Sequence, residues 1–97
     1  MEKLSVIVIV YNEKENIRPL TEKIRNDLSE YDYELIYVDD GSTDGTLEEI
    51  QSMPAKNLKL VELMKNFGQS SAMAAGIDIA SGEYIITMDG DLQNDPA

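Results

Sequence analysis

Apolar positions along the chain follow two alternating rhythms. Leu4-Ser5-Val6-Ile7-Val8-Ile9-Val10 is a nearly continuous β-branched run, the pattern of a strand buried on both faces. It breaks at Tyr11-Asn12-Glu13. Over residues 16–28 the spacing changes to threes and fours, with Ile17, Leu20, Ile24 and Leu28 on one stripe, which predicts a helix. Asn16 is its expected cap, and Pro19 then falls in the first turn, where a missing N–H costs little. Residues 33–38 predict a second strand, ending at Asp39-Asp40-Gly41-Ser42. Ser42 or Thr43 is expected to cap a short helix over residues 44–53, with Leu47 and Ile50 inward and Pro54 just past its end. Residues 58–63 form a third, less apolar strand, as suits a sheet edge.

A third helix is expected over residues 69–80, with Met73, Ile77 and Ala80 on one side and Ala72, Ala75, Gly76 and Ile79 close by. Its small residues would let it sit tightly on a sheet, and Gly82 is placed to end it. The fourth strand begins at Glu83 and should stop at Met88, because Asp and Gly are depleted in strands. Strand alternating with helix four times over predicts an α/β fold: a Rossmann-like parallel sheet of about four strands with flanking helices and right-handed crossovers. No repeat, low-complexity segment or linker interrupts it.

In such a sheet every strand's carboxyl end lies on one rim, where open α/β folds bind ligands. The segments delivered there are Tyr11-Asn12-Glu13, Asp39-Asp40-Gly41-Ser42, Lys65-Asn66-Phe67-Gly68-Gln69 and Asp89-Gly90-Asp91, whereas the opposite rim receives unremarkable connections. Asp40 is placed to accept hydrogen bonds from a base or ribose; equally, Asp39, Asp40 and Ser42 form a turn and a cap. Asn12 and Glu13 read either as ligands or as a polar strand end. The helix opening at Asn66–Gln69 presents amides suited to an anion. Asp89 and Asp91, one residue apart, repel by roughly 4 kcal/mol at about 4 Å and an effective dielectric of ~20. Water and distance, a proton or a hard cation can offset that repulsion; for a cation, the all-oxygen donors Asp89, Asp91 and Gln93 select Mg²⁺ or Mn²⁺. A solvated Asp-Gly-Asp turn is the plainer alternative.

Composition narrows the partners. Ninety-seven residues allow one domain, and 42% hydrophobic with 28% charged residues describes a globular chain rather than a disordered one. A net charge of -11 excludes a phosphate-backbone partner, so no nucleic acid, and disfavours an anionic membrane surface. Without Cys or His there is no thiolate site and no imidazole base. The longest apolar run, Val6 to Tyr11, is too short for a membrane span or a signal peptide, so a cytoplasmic location is expected. No glycine-rich dinucleotide fingerprint or P-loop is present.

Four stretches in order, 8–13, 38–46, 66–69 and 88–93, resemble family 2 glycosyltransferases, and nearly the whole chain takes part. The likeness is greatest to the branch that moves sugars from nucleotides onto polyprenyl phosphates. The resemblance implies the nucleotide-binding half of a GT-A fold, with a UDP- or GDP-linked sugar as donor. It implies a donor site of Tyr11, Asn12, Glu13, Asp40, Ser42, Gln69, Asp89, Gly90 and Asp91, of which Tyr11, Glu13 and Asp40 approach base and ribose. It further implies a divalent ion on Asp89, Asp91 and Gln93, and a lipid-phosphate acceptor. Ile9 stands where the family usually has Pro, Lys65 replaces a common Arg, and Asn94-Asp95-Pro96 replaces a more acidic run. The acceptor half is absent from residues 1–97, so no catalytic base is assignable. The expectation is a donor-binding piece with little turnover alone, uncovered sheet edges, and consequent self-association; the full-length protein would work at the cytoplasmic membrane face. Two alternatives are a non-catalytic nucleotide-binding fragment and a receiver-like phospho-acceptor domain. The second needs an acidic pair after the first strand and a lone Asp after the third, and finds Tyr-Asn-Glu and Met64-Lys65-Asn66 there.

Overall fold

The computed structural model describes residues 3–54, 56–63 and 69–89. Among these residues seven elements alternate as the sequence predicts: β1 (Lys3–Val10), α1 (Lys14–Asp27), β2 (Asp32–Asp39), α2 (Thr46–Gln51), β3 (Leu58–Glu62), α3 (Gln69–Ile79) and β4 (Tyr84–Asp89). The strands form one parallel sheet in the order β3-β2-β1-β4. The two β-branched runs take the centre, where both faces are covered. Val6, Val8, Val10, Leu35 and Tyr37 meet Ile17, Leu20 and Ile24 of α1 and Ile50 and Met53 near α2. Ile7, Ile36 and Val38 point the other way, onto Ala72 of α3. Inside the first cluster, Tyr37 and Thr21 join hydroxyls, and burial raises the Tyr37 pKa against the opposing Thr21 bond and Arg25 charge.

Several local expectations fail for physical reasons. Helix α1 begins two residues early, at Lys14, with Glu13 rather than Asn16 in the cap position. Its first amides find acceptors on the β2–α2 loop: Glu13 N–H donates to Thr46 Oγ1 (2.9 Å) and Lys14 N–H to Asp44 Oδ2 (3.4 Å). Asn16 lies inside the helix and donates its side-chain amide back to Glu13 Oε2 (2.7 Å). Pro19 therefore sits beyond the first turn, on the exposed face where solvent can serve the carbonyl it leaves unbonded. Helix α2 starts at Thr46 and ends at Gln51; neither Ser42 nor Thr43 caps it, and left-handed Gly45 (φ 95°) takes the cap position.

Helix α3 seats itself through its smallest residues. A Cβ on Gly76 would stand 2.7 Å from Ile7 Cγ2 and 3.1 Å from Val38 Cγ2, distances that leave no room for a methyl group. Ala72 and Gly76 are buried, Met73 and Ala80 pack beside them, and Ile77 and Ile79, expected near the sheet, are pushed outward to 46% and 38% exposure. Gly82 does not end this helix. It permits close passage over β1, where a Cβ would lie 2.8 Å from the Lys3 carbonyl, and its N–H donates to Ser5 Oγ (2.8 Å). β3 is an edge strand, as expected. β4 forms the other edge and exposes Tyr84, Ile85 and Ile86.

The amino rim is not the plain junction the sequence suggests. Glu34, 3% exposed, accepts hydrogen bonds at Oε2 from Ser5 Oγ (2.6 Å), Ser81 N–H (2.6 Å) and Ser81 Oγ (3.1 Å). Its Oε1 has no aligned hydrogen bond and is neutralised by the Lys59 ammonium at 2.8 Å. Burial alone would raise this pKa; Lys59 and the serine donors outweigh it and hold the group at about 2.

Candidate functional site at the carboxyl rim

Each strand deposits a polar residue on the same rim. Val10 of β1 is level with Asp39 of β2, and Ile9 is level with Asp89 of β4. Neighbouring strands lie about 4.8 Å apart, so the backbones of Asp39 and Asp89 flank the end of β1 at roughly 10 Å from each other. Asp89 is the last residue of β4, one position further along the strand than expected; the ladder pairs backbone, so a polar side chain is no obstacle at a strand end. Gln69 opens α3 on the connection leaving β3. The 64–68 segment and Gly90, Asp91 and Gln93 lie outside the described residues, so two of the three expected metal ligands are not placed.

Tyr11 leaves β1 with its ring 44% exposed. Asp40 is 5% exposed, and its N–H donates to the Val10 carbonyl (2.9 Å), which draws β2's end against β1's. Its neighbour Asp39 is the turn former: Asp39 Oδ1 accepts the Ser42 N–H (3.2 Å). Asn12 adopts the left-handed region (φ 54°) that Asn tolerates better than most residues. In that conformation its N–H donates to Ser42 Oγ (2.8 Å), and its Oδ1 accepts the Thr43 N–H (2.8 Å). Glu13 is half-buried beneath them. The structure thus brings Tyr11, Asn12, Glu13, Asp40 and Ser42 together.

Two residues the sequence reasoning passed over complete this junction. Asp44 Oδ1 accepts the Thr46 N–H (3.0 Å) and the Thr46 hydroxyl, while Oδ2 reaches the Lys14 amide. These bonds outweigh partial desolvation and lower the Asp44 pKa. The Asp-Gly-Thr spacing of residues 44–46 is that of an Asx turn, the signal that could have revealed them.

Carboxylates dominate the rim. Glu13, Asp39, Asp40 and Asp44 stand on two adjacent loops, and the Lys14 side chain lies over Gly45, 3.4 Å from where a Cβ would stand. Among the described residues no three acidic side chains converge tightly enough to hold a metal ion. A cavity of about 470 Å³ lined by Asp39, Ser42, Thr43, Glu48 and Glu62 opens beside the β2–α2 loop. The larger hollow, about 590 Å³ among Leu4, Asn26, Tyr31 and Tyr84, is at the other rim and gathers none of the strand-end residues. No helix of the described residues is long and apolar enough to cross a membrane.

Comparison with known proteins gives this rim its context. The family described as Glycosyl transferase family 2 matches residues 5–97. Dodecaprenyl-phosphate galacturonate synthase of Rhizobium johnstonii is 48% identical over 97% of the chain and 29% of its own length. Dolichol-phosphate mannosyltransferase of Pyrococcus furiosus is 42% identical over 97% of the chain and 27% of its own length. Among solved structures, the mannosyltransferase PcManGT of Pyrobaculum calidifontis, in complex with GDP-Man and Mn²⁺, superposes with a TM-score of 0.79. It shares 29% identity over 93% of this chain and 28% of that one. The chain therefore spans under a third of the length of these relatives.

Proposed function

The chain belongs to glycosyltransferase family 2, of GT-A architecture, and from that premise we propose that its carboxyl rim binds a UDP- or GDP-linked sugar for transfer to a polyprenyl phosphate. The observation that carries the proposal is the meeting of the β1–α1 and β2–α2 loops beside the end of β4, with Tyr11 exposed and Asp40 drawn in between. Tyr11 offers a face for a base to stack on, and Asp40 and Glu13 offer acceptors for base or ribose hydroxyls. Asn12 and Ser42 belong to the same site. Gln69, opening α3, supplies helix-terminal polarity toward the diphosphate.

A diphosphate approaching carboxylates is repelled unless a cation intervenes. Asp89, Asp91 and Gln93 are all oxygen donors, the set that suits Mg²⁺ or Mn²⁺. The relative bound to GDP-Man and Mn²⁺ supports that assignment. The ion, when bound, neutralises charge on the departing nucleotide diphosphate. The chain's own contribution is positional: Tyr11 and Asp40 fix the nucleoside, and the end of β4 fixes where the diphosphate lies.

A lipid phosphate is already anionic, so its oxygen attacks the sugar without a strong base. The names of the two relatives, both polyprenyl-phosphate sugar transferases, support this acceptor. Because such an acceptor is membrane-embedded, the full-length enzyme works at the cytoplasmic membrane face. Residues 1–97 constitute the donor-binding part, and acceptor binding is assigned to the longer remainder that the relatives possess.

Calorimetric titration with UDP-sugars and GDP-sugars, with and without Mn²⁺, tests the proposal. Metal-dependent binding of one donor class, abolished in Asp91→Asn, is expected. Binding that ignores both metal and substitution would sink it.

A further inference from the structure

We propose that Asn12 and Asp44 are positioning residues that fasten the β1–α1 and β2–α2 loops into one unit, and that donor affinity depends on this seam rather than on contact with either side chain. The inference rests on the donor site proposed above and adds how that site is held in shape.

The evidence is the direction of the hydrogen bonds. Asn12 N–H donates to Ser42 Oγ, and Asn12 Oδ1 accepts from Thr43 N–H, both at 2.8 Å. One and two residues on, Glu13 N–H reaches Thr46 Oγ1 at 2.9 Å and Lys14 N–H reaches Asp44 Oδ2 at 3.4 Å. All four cross from one loop to the other, between residues 30 or more apart in sequence. Each loop offers side-chain oxygens to the other's main chain. Thr46 and Asp44 are themselves tied, since Asp44 Oδ1 accepts both the amide and the hydroxyl of Thr46. Asn12 Oδ1 and both carboxylate oxygens of Asp44 are thus already engaged within the protein.

Two consequences follow. First, the amides of Glu13 and Lys14 at the start of α1 are occupied and are not free to serve a donor diphosphate. Second, Tyr11 and Asp40, the proposed nucleoside contacts, each lie at the root of a loop in the seam, next to Asn12 or two residues before Ser42. Loosening the seam lets those contacts move independently, and a ligand must then order them on binding. Asn12, Thr43 and Asp44 are exposed, so the bonds add little to global stability and the effect should separate from unfolding.

The test compares the chain with Asn12→Ala, Asp44→Ala, Asp44→Asn, the double alanine variant, and Thr21→Val as a control that loses a buried bond far from the rim. Affinity for UDP and GDP with Mn²⁺ is read by calorimetry, melting temperature by scanning calorimetry, and loop order by NMR-detected amide exchange. Each alanine variant should bind the preferred nucleotide about tenfold more weakly; Asp44→Ala should leave the melting temperature nearly unchanged, while Asn12→Ala, which places alanine at a left-handed φ, should melt several degrees lower. The double variant should lose less than the product of the two, and Asp44→Asn, which keeps an amide oxygen, should recover part of the loss. Exchange at Glu13 and Lys14 should quicken in Asp44→Ala, and at Thr43 in Asn12→Ala. Unchanged exchange at those amides overturns the seam whatever the affinities. Unchanged affinity, or a loss no greater than Thr21→Val causes, overturns its role in binding. Should the unmodified chain take neither nucleotide, the donor-site proposal fails, and exchange alone decides whether the seam exists.

Discussion

At the amino rim of the sheet one carboxylate, Glu34, is sealed by donors from β1, β3 and the α3–β4 connection. At the carboxyl rim Asn12, Thr43 and Asp44 lie at the surface, and the bonds they make from one loop to the other are exposed ones. Both are polar networks spanning distant segments, yet their energetic weights differ. A buried charge that loses its partners pays full desolvation, whereas an exposed bond exchanges with water at little cost. The amino rim therefore bears on whether the sheet forms, and the carboxyl rim, as the proposed donor site, on what the formed sheet holds.

The sharpest way to break that contrast is at Glu34. Glu34→Ala should destabilise the chain by about 3 kcal/mol, lowering its melting temperature by more than about 10 °C, because Lys59 and the Ser81 amide lose their counterpart. Nucleotide affinity measured below the transition should not change. The same carboxylate sets an acid limit. Its pKa falls from 4.5 in the unfolded chain to about 2 in the folded one, so the stability it contributes is complete above pH 4.5 and is lost as pH falls toward 2. Urea midpoints measured across that window should decline, and the decline should flatten in Glu34→Gln. A pH-independent midpoint would count against the network.

Gly76→Ala comes next. Alanine favours a helix by about 1 kcal/mol, but crowding Ile7 and Val38 costs about 1–3 kcal/mol, so a net loss of roughly 1 kcal/mol is expected by urea denaturation. Tyr11→Ala inverts the pattern seen at Glu34: stability should stay within about 0.5 kcal/mol while nucleotide binding weakens by about 1 kcal/mol, from lost stacking. The smallest effect concerns the β4 edge, where Ile85 and Ile86 are exposed and no strand covers them among the described residues. Self-association through this edge should register in sedimentation at high concentration and be suppressed by Ile85→Lys. A clean monomer of the unmodified chain would remove that expectation.

The two rims also differ in how far sequence alone reveals them. The order and type of all seven elements could be read from local patterns, since β-branched runs and three-four spacings each report on their own neighbourhood. The convergence of Tyr11, Asp40 and Asp89 on one rim followed from topology. What could not be read was whatever depends on a partner far along the chain. Helix α1 starts at Lys14 because Asp44 and Thr46 cap it from some 30 residues away. Nothing local to Glu34, a charged residue near the start of a strand, announces its partner Ser81, 47 residues away. Ile77 and Ile79 fitted an inward stripe by periodicity, but the closeness of helix to sheet admits only alanine and glycine along the contact line.

That closeness reaches beyond packing. The missing methyl at position 76 fixes how deeply α3 settles, and α3 is a rigid rod whose first residue, Gln69, stands at the carboxyl rim two turns away. A few tenths of an ångström at one end of such a lever reappear at the other. The height of the helix tip at the proposed donor rim is thus calibrated by an atom that is not there.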